Sequence, residues 1–132
     1  MIRYSITKSV SIDAPAARVF QFLADAANWP KWATVNVKSV KPLDGDWWEM
    51  ETPAGRARLR IGPNAALGTL DHDFHAPDAS WTVPARVVQN GSGSEFMITF
   101  FQPASFTKEF FEEQVSLVDK ELGQLKKLME SA

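Results

Sequence analysis

The chain has 132 residues, of which 45% are hydrophobic and 23% charged, as in an ordinary globular protein. The formal net charge is −2, and Lys and Arg are spread along the chain, so we expect no nucleic-acid partner. No apolar run approaches the roughly 20 residues of a membrane span. Cysteine is absent and the first residues lack a signal-peptide pattern. We therefore expect one domain over residues 1–132, in the cytoplasm, with no membrane span and no cofactor.

Alternating residues in "YSITKSVSIDAP" predict a half-buried strand that ends at Asp13. Pro15 then suits the first turn of a short helix, because the missing N–H of proline is no loss there. "NWPKW" predicts a second short helical segment, with Asn28 as its cap and with Trp29 and Trp32 on one side. Two short helices are therefore expected after the first strand.

The middle of the chain alternates between strand patterns and turns rich in Gly, Pro, Asn and Asp. Six further strands are predicted, at residues 35–40, 47–52, 56–61, 68–74, 81–89 and 95–101. The period then becomes helical, and Thr107 is a suitable N-cap for a helix over residues 108–130. A continuous apolar stripe is expected along it, formed by Phe111, Val115, Val118, Leu122, Leu125 and Met129.

Antiparallel pairing of the central strands, with their apolar sides in agreement, predicts a register. Met50 then lies opposite Ala57 and Trp48 opposite Leu59, while the outer face pairs Glu51 with Arg56. Carried across the next turn, the same rule pairs Leu59 with His72, Ile61 with Leu70, Arg60 with Asp71 and Arg58 with Asp73. In the last hairpin, Val88 opposite Glu95 turns Arg86 outward beside Met97, although a slip of one residue would bring Arg86 inside.

Both histidines of the chain lie in "LDHDFH", residues 70–75, which raises the possibility of a metal site. Asp71, Asp73 and His75 would share one face of a strand. Because arginines face them in the predicted register, a dication would be repelled, and we expect no metal there. His72 points inward instead, where an imidazole needs a hydrogen-bond partner, a ligand or water.

The order of elements, with "IDAP", "VFQFLAD" and "NWPKW", resembles the SRPBCC superfamily of START-like, helix-grip proteins. "GTLDHDF" and "VPARVVQNGSGSEFMITFFQP" are most similar to its small bacterial polyketide cyclase/dehydrase-like members. The resemblance covers essentially the whole chain. It implies an α+β helix-grip fold, in which a curved antiparallel sheet of about seven strands wraps around a long C-terminal helix and leaves an apolar cavity for a hydrophobic molecule.

The inward positions of the predicted strands and helices supply candidate residues for the wall of that cavity. They are Trp32, Trp48, Met50, Leu59, Leu70, His72, Phe74, Trp81, Phe96, Ile98, Phe100, Phe110, Gln114 and Val118. Most are expected to be core, since a packed interior tolerates few voids.

Three functions are compatible with this interpretation. The first is binding of a small hydrophobic or aromatic molecule, with His72 or Gln114 orienting one polar group. The second is a cyclase or dehydratase that uses His72 as acid or base, although no second inward acid or base is identified. The favoured alternative for His72 is a core imidazole satisfied by a neighbouring hydroxyl or carbonyl. The third is a co-chaperone-like interaction module, which would expose an apolar patch, with Trp29 and Trp47 as candidate residues. Trp47 beside Arg60 could instead be a cation–π pair on the outer face of the sheet. A homodimer is compatible with all three.

Overall fold

An eight-stranded antiparallel sheet and a C-terminal helical segment dominate the computed structural model, which describes residues 1–77 and 79–131. Two short helices and a 3₁₀ turn over Ala26–Asn28 follow the first strand. The strands are β1 (Ser5–Ile12), β2 (Ser39–Pro42), β3 (Trp48–Thr52), β4 (Gly55–Asn64), β5 (Thr69–His75), β6 (Ser80–Val83), β7 (Ala85–Asn90) and β8 (Gly93–Phe101). The helices are α1 (Ala16–Ala24), α2 (Trp29–Trp32), α3 (Lys108–Ser116) and α4 (Val118–Glu130).

The strands follow the order β1-β8-β7-β5-β4-β3-β2, with β6 paired to β5. The predicted helix-grip fold is thereby confirmed. One more strand is present than expected, because the stretch predicted as 81–89 is divided at Pro84 into β6 and β7. Proline lacks the N–H that a continuous ladder would need at this point. Since β6 and β7 both pair with β5, the division bends the chain without leaving the sheet.

The hairpin of β3 and β4 has the predicted register, with Met50 opposite Ala57 and Glu51 opposite Arg56. The predicted register of β4 and β5 is wrong by two residues: Leu59 lies opposite Phe74 rather than His72. Ile61 faces His72, Arg60 faces Asp73 and Arg58 faces His75. The cause is that β4 continues through residues 62–64, which the sequence predicted as a turn. Because the error is an even number, each side chain keeps its predicted face.

The strand predicted over residues 35–40 is wrong over most of its length. Only residues 39–42 form β2, and residues 34–36 form a turn. In that turn the backbone N–H groups of Val35 and Asn36 donate to the carboxylate of Glu121, at 3.2 and 3.0 Å. The backbone N–H groups of these two residues are therefore satisfied by a side chain of α4. In the predicted strand they would have donated to a neighbouring strand instead.

The C-terminal helix has the predicted limits, 108–130, with one interruption at Leu117, whose backbone remains helical at φ −68° and ψ −22°. Thr107 caps it as predicted, since its Oγ1 accepts from the N–H of Phe110 at 3.1 Å. The predicted stripe from Phe111 to Met129 is buried throughout. In the part of the chain that the structure describes, no helix combines the length and hydropathy that a membrane span requires.

The outer face of the sheet carries the charged residues. Arg60 pairs with Asp73 at 2.8 Å, and the guanidinium groups of Arg58 and Arg60 lie 4.8 and 4.6 Å from the ring centre of Trp47. His75 packs on Trp47 with ring centres 4.7 Å apart. Within residues 1–77 and 79–131, no three potential metal-ligating side chains of His, Cys, Asp or Glu converge. Trp47 is therefore partly buried among these side chains, and the cation–π contact with Arg60 predicted as the alternative to its exposure is confirmed.

The structure also shows whether two other side chains, Arg86 and Trp29, point toward solvent or toward the core. Arg86 is exposed, lies opposite Met97 in the register predicted from Val88 and Glu95, and donates to the carbonyl of Leu67 at 3.1 Å. Trp29 was a candidate for exposure, but it is only 7% exposed, which makes that expectation wrong. Its helix lies against α4, so the ring is enclosed by the core.

Candidate functional site

A cavity of about 230 Å³ lies between the inward face of the sheet and the C-terminal helix, and most of its wall is apolar. Ten of the fourteen predicted wall residues line it. They are Trp32, Met50, His72, Phe74, Trp81, Ile98, Phe100, Phe110, Gln114 and Val118. The period-two pattern of the strands and the 3.6-residue period of the helix were sufficient to place these side chains.

The other four predicted wall residues lie away from the cavity. Leu59, Leu70 and Phe96 are at most 2% exposed and belong to the solid part of the core. Trp48 is partly buried and packs against the same core. These four positions correct the sequence-based wall: the strand pattern identifies inward side chains, but it does not distinguish those that fill space from those that border a void.

Most of the wall residues that the sequence missed come from loops and from the helix termini. Strand patterns contain no information about where a loop folds back over a sheet, so these positions had no clear signal. They include Ala33, Asn36 and Val37 before β2, Pro53 and Ala54 in the β3–β4 turn, and Pro103 and Phe106 after β8. Thr52 and Phe101, the last residues of β3 and β8, also line the cavity. Glu121 is different, because it lies three residues after Val118 on the apolar stripe of the helix. Its spacing was a usable signal.

One end of the cavity is bordered by a series of aromatic rings in contact with one another. Phe74 and Trp81 are stacked at 4.9 Å, Trp81 meets Phe106 edge-on at 6.1 Å, and Phe106 meets Phe110 at 4.8 Å. Phe110 and Phe101 are 45% and 40% exposed. These rings therefore form an apolar mouth that reaches solvent.

The other end is a buried group of three rings, Trp29, Trp32 and His72, which we call the Trp–His cluster. Trp29 meets Trp32 edge-on at 5.1 Å and His72 edge-on at 4.9 Å. The indole N–H of Trp29 donates to the carbonyl of Leu23 at 2.9 Å. The indole N–H of Trp32 is also buried, but it has no hydrogen-bond partner among the described residues. The cluster thus holds one satisfied and one unsatisfied indole donor.

His72 is 6% exposed, and its Nδ1 lies 3.0 Å from the carbonyl oxygen of Leu70. Because a carbonyl can only accept, Nδ1 carries the proton when the ring is neutral, and Nε2 keeps a lone pair. Burial lowers the pKa of His72, although the Leu70 carbonyl and the nearby Asp71 and Asp73 oppose that effect. The lowered pKa favours the neutral imidazole at pH 7, and Nε2 is then the acceptor atom of the ring.

Glu121 is a second titratable group in the cavity wall, and it is 3% exposed. One carboxylate oxygen accepts from the backbone N–H groups of Val35 and Asn36, and the other accepts from the side-chain amide of Asn36 at 3.1 Å. Burial raises the pKa of Glu121, while these donors oppose the rise. The sequence had identified no inward acid to accompany His72, and Glu121 corrects that expectation.

This arrangement can hold an apolar molecule by contact with rings and methyl groups, and it can orient one polar group of that molecule. His72 could also accept a proton from a bound molecule through Nε2. A catalytic role for His72 stays a prediction, since proton transfer depends on the distance to a substrate atom.

The chain belongs to the family described as "Polyketide cyclase / dehydrase and lipid transport", whose model matches residues 3–130. This places it among the START-like proteins of the SRPBCC type, as its sequence resemblance implied. No curated protein matches the chain in sequence.

Three solved structures illustrate the range of proteins that share the fold. A START superfamily protein from Mycobacterium smegmatis is 10% identical, with a TM-score of 0.77, over 96% of this chain and 97% of that one. The Aha1 dimer from Colwellia psychrerythraea is 15% identical, with a TM-score of 0.74, over 96% of each chain. The di-domain ARO/CYC protein BexL from the BE-7585A biosynthetic pathway is 18% identical, with a TM-score of 0.72, over 94% of this chain and 45% of that one. At these identities the likeness concerns the fold alone.

Proposed function

We propose that the protein binds a small hydrophobic or aromatic molecule in the cavity between its sheet and its C-terminal helix. The observation that carries the proposal is the cavity itself, about 230 Å³ in volume and bordered mainly by aromatic and aliphatic side chains. Native cores have few cavities larger than a water molecule, so an apolar cavity of this size favours a ligand-binding role.

The volume also limits the size of the ligand. Pockets for drug-sized molecules measure roughly 300–1,000 Å³, and this cavity of about 230 Å³ is smaller. A molecule of one or two rings fits that volume better than a long lipid. The mouth rings, Phe106 and Phe110, offer edges and faces against which an aromatic ligand can pack.

A variant that fills the cavity tests the proposal, with naphthalene as the probe. Val118 lines the cavity from α4, so Val118→Phe puts an additional ring into the space that the ligand needs. We expect this variant to bind naphthalene at least about tenfold more weakly than the unaltered protein, because the added ring occupies part of the volume that naphthalene needs. Affinity is measured by titration followed in ¹H–¹⁵N NMR spectra.

Leu117→Phe is the matched control, because it adds the same ring at the neighbouring residue, which is exposed and does not line the cavity. It should bind naphthalene as the unaltered protein does. Thermal unfolding of both variants verifies that they are folded. Equal naphthalene affinity in Val118→Phe and the unaltered protein would place binding elsewhere and refute the proposal.

A further inference from the structure

The Trp–His cluster contains a donor that lacks an acceptor. The side chain of Trp32 is 2% exposed, lines the cavity, and has an indole N–H without a partner among the described residues. Buried polar groups in native proteins are nearly always hydrogen-bonded, and an exception needs an explanation. An acceptor atom brought by a ligand would provide that explanation.

An acceptor is present in the same cluster. His72 also lines the cavity, and its Nδ1 is engaged with the carbonyl of Leu70, which leaves the Nε2 lone pair without a hydrogen bond to any described residue. Both rings pack edge-on against Trp29, so the two free groups belong to one end of the cavity. The cluster therefore presents a donor and an acceptor within one group of packed rings.

We propose that the ligand carries a hydroxyl group, phenolic or alcoholic, which accepts from the indole N–H of Trp32 and donates to Nε2 of His72. A hydroxyl is the simplest group that can do both, since it has one donor and two acceptor lone pairs. This inference rests on the proposed function and names the class of ligand for the same cavity.

Two other polar groups fit less well. A carboxylate would enter a low-dielectric space whose wall includes the carboxylate of Glu121, and buried like charges oppose one another. An ammonium group has donors only, so it would leave the N–H of Trp32 unsatisfied. The neighbouring groups thus favour a neutral hydroxyl over either ion.

The test compares naphthalene, 2-naphthol and 2-naphthoate with the unaltered protein and with Trp32→Phe. For the unaltered protein we expect 2-naphthol to bind about tenfold more tightly than naphthalene, as one or two net hydrogen bonds allow, and 2-naphthoate to bind most weakly. Trp32→Phe keeps a ring but removes the donor, so the ratio of 2-naphthol affinity to naphthalene affinity should fall to near one, whatever effect the smaller ring has on naphthalene binding itself.

Trp81→Phe is the control, because Trp81 also lines the cavity but belongs to the mouth rings. It should keep the preference for 2-naphthol. NMR gives a readout that needs no variant: the five tryptophans each contribute an indole N–H signal, and 2-naphthol should move that of Trp32 to higher frequency, whereas naphthalene should not.

The outcomes separate this inference from the function on which it rests. Failure of both naphthalene and 2-naphthol to bind would refute ligand binding itself. Naphthalene binding with no advantage for 2-naphthol, an advantage that persists in Trp32→Phe, or tightest binding of 2-naphthoate would overturn the hydroxyl inference and leave apolar binding intact.

Discussion

Glu121 shows how one residue on an apolar stripe can determine local structure. Its neighbours on the same helical face, Val118, Leu122 and Leu125, are all buried, so the carboxylate enters the core with them. Three donors from residues 35 and 36 then satisfy its oxygens and hold the turn that precedes β2. The stretch is a turn rather than a strand because a buried carboxylate needs those donors.

The raised pKa of Glu121 makes a prediction about stability and pH. A carboxyl group whose folded pKa exceeds its unfolded value contributes stability that is fully present below the unfolded pKa, near 4.5, and is lost as pH rises through the folded pKa. Glu121→Gln removes this loss. We therefore expect the variant to gain free energy of unfolding relative to the unaltered protein between pH 4 and pH 8, on the order of 1 kcal/mol.

Chemical denaturation across this pH range measures the difference. The lowered pKa of His72 affects both proteins alike, so it cancels in the comparison. Glu113→Gln, at an exposed position of α3, is the control and should show no such trend. Parallel stability curves for Glu121→Gln and the unaltered protein would contradict the prediction.

The β4–β5 hairpin shows what strand patterns can and cannot determine. Alternation of apolar and polar residues placed every central side chain on its correct face, because inward residues must match inward residues. The same alternation is satisfied by a shift of two residues, so it could not fix the partners. The length of the loop decides the register. Residues 62–64 are Gly, Pro and Asn, all three of them turn-forming residue types, so the sequence favoured the shorter strand.

The site could be predicted to a similar extent. Residues on regular elements, such as Met50, Ile98 and Val118, follow from periodicity. Loop residues such as Pro53 and Phe106 do not, because their approach to the cavity depends on how a turn packs on the finished sheet. The unsatisfied N–H of Trp32 is likewise a property of the packed molecule, since every indole carries the same donor in the sequence.

Gly68, in the turn between β4 and β5, lies directly against the backbone of β7. It has φ +71°, its carbonyl accepts from the N–H of Val87 at 2.9 Å, and a Cβ at this position would lie 2.3 Å from the carbonyl oxygen of Val87. Gly68→Ala therefore adds both left-handed backbone strain and a clash with the backbone of β7.

We expect Gly68→Ala to be less stable than Gly45→Ala by at least about 1 kcal/mol. Gly45 is a matched control, because its φ of +67° is similar while a Cβ there meets nothing within 4 Å. Backbone strain is then common to both variants, and the difference reports the clash alone. Thermal or denaturant unfolding measures this difference in stability. Equal loss of stability in the two variants would contradict the prediction, because it would mean that β7 moves away from the added Cβ at no cost in free energy.

At the scale of the whole molecule, the inward face of the sheet both forms the hydrophobic core and lines the cavity. Leu59, Leu70 and Phe96 fill space and form a solid core, while the mouth and the Trp–His cluster border a void. Stability and binding should therefore respond to different substitutions, even though both sets of residues lie on the same side of the sheet.

A pair of alanine variants checks this separation. Leu59 is completely buried and does not line the cavity, so Leu59→Ala should lower the free energy of unfolding by about 2–5 kcal/mol. Its folded fraction should still bind naphthalene within about twofold of the unaltered protein. Phe110 is 45% exposed at the mouth, so Phe110→Ala should change stability by less than about 1 kcal/mol and weaken naphthalene binding severalfold. Denaturant unfolding gives the stability of both variants, and NMR titration gives their affinities for naphthalene. If Leu59→Ala weakened naphthalene binding as much as Phe110→Ala does, the core and the cavity would not be separable and the prediction would be wrong.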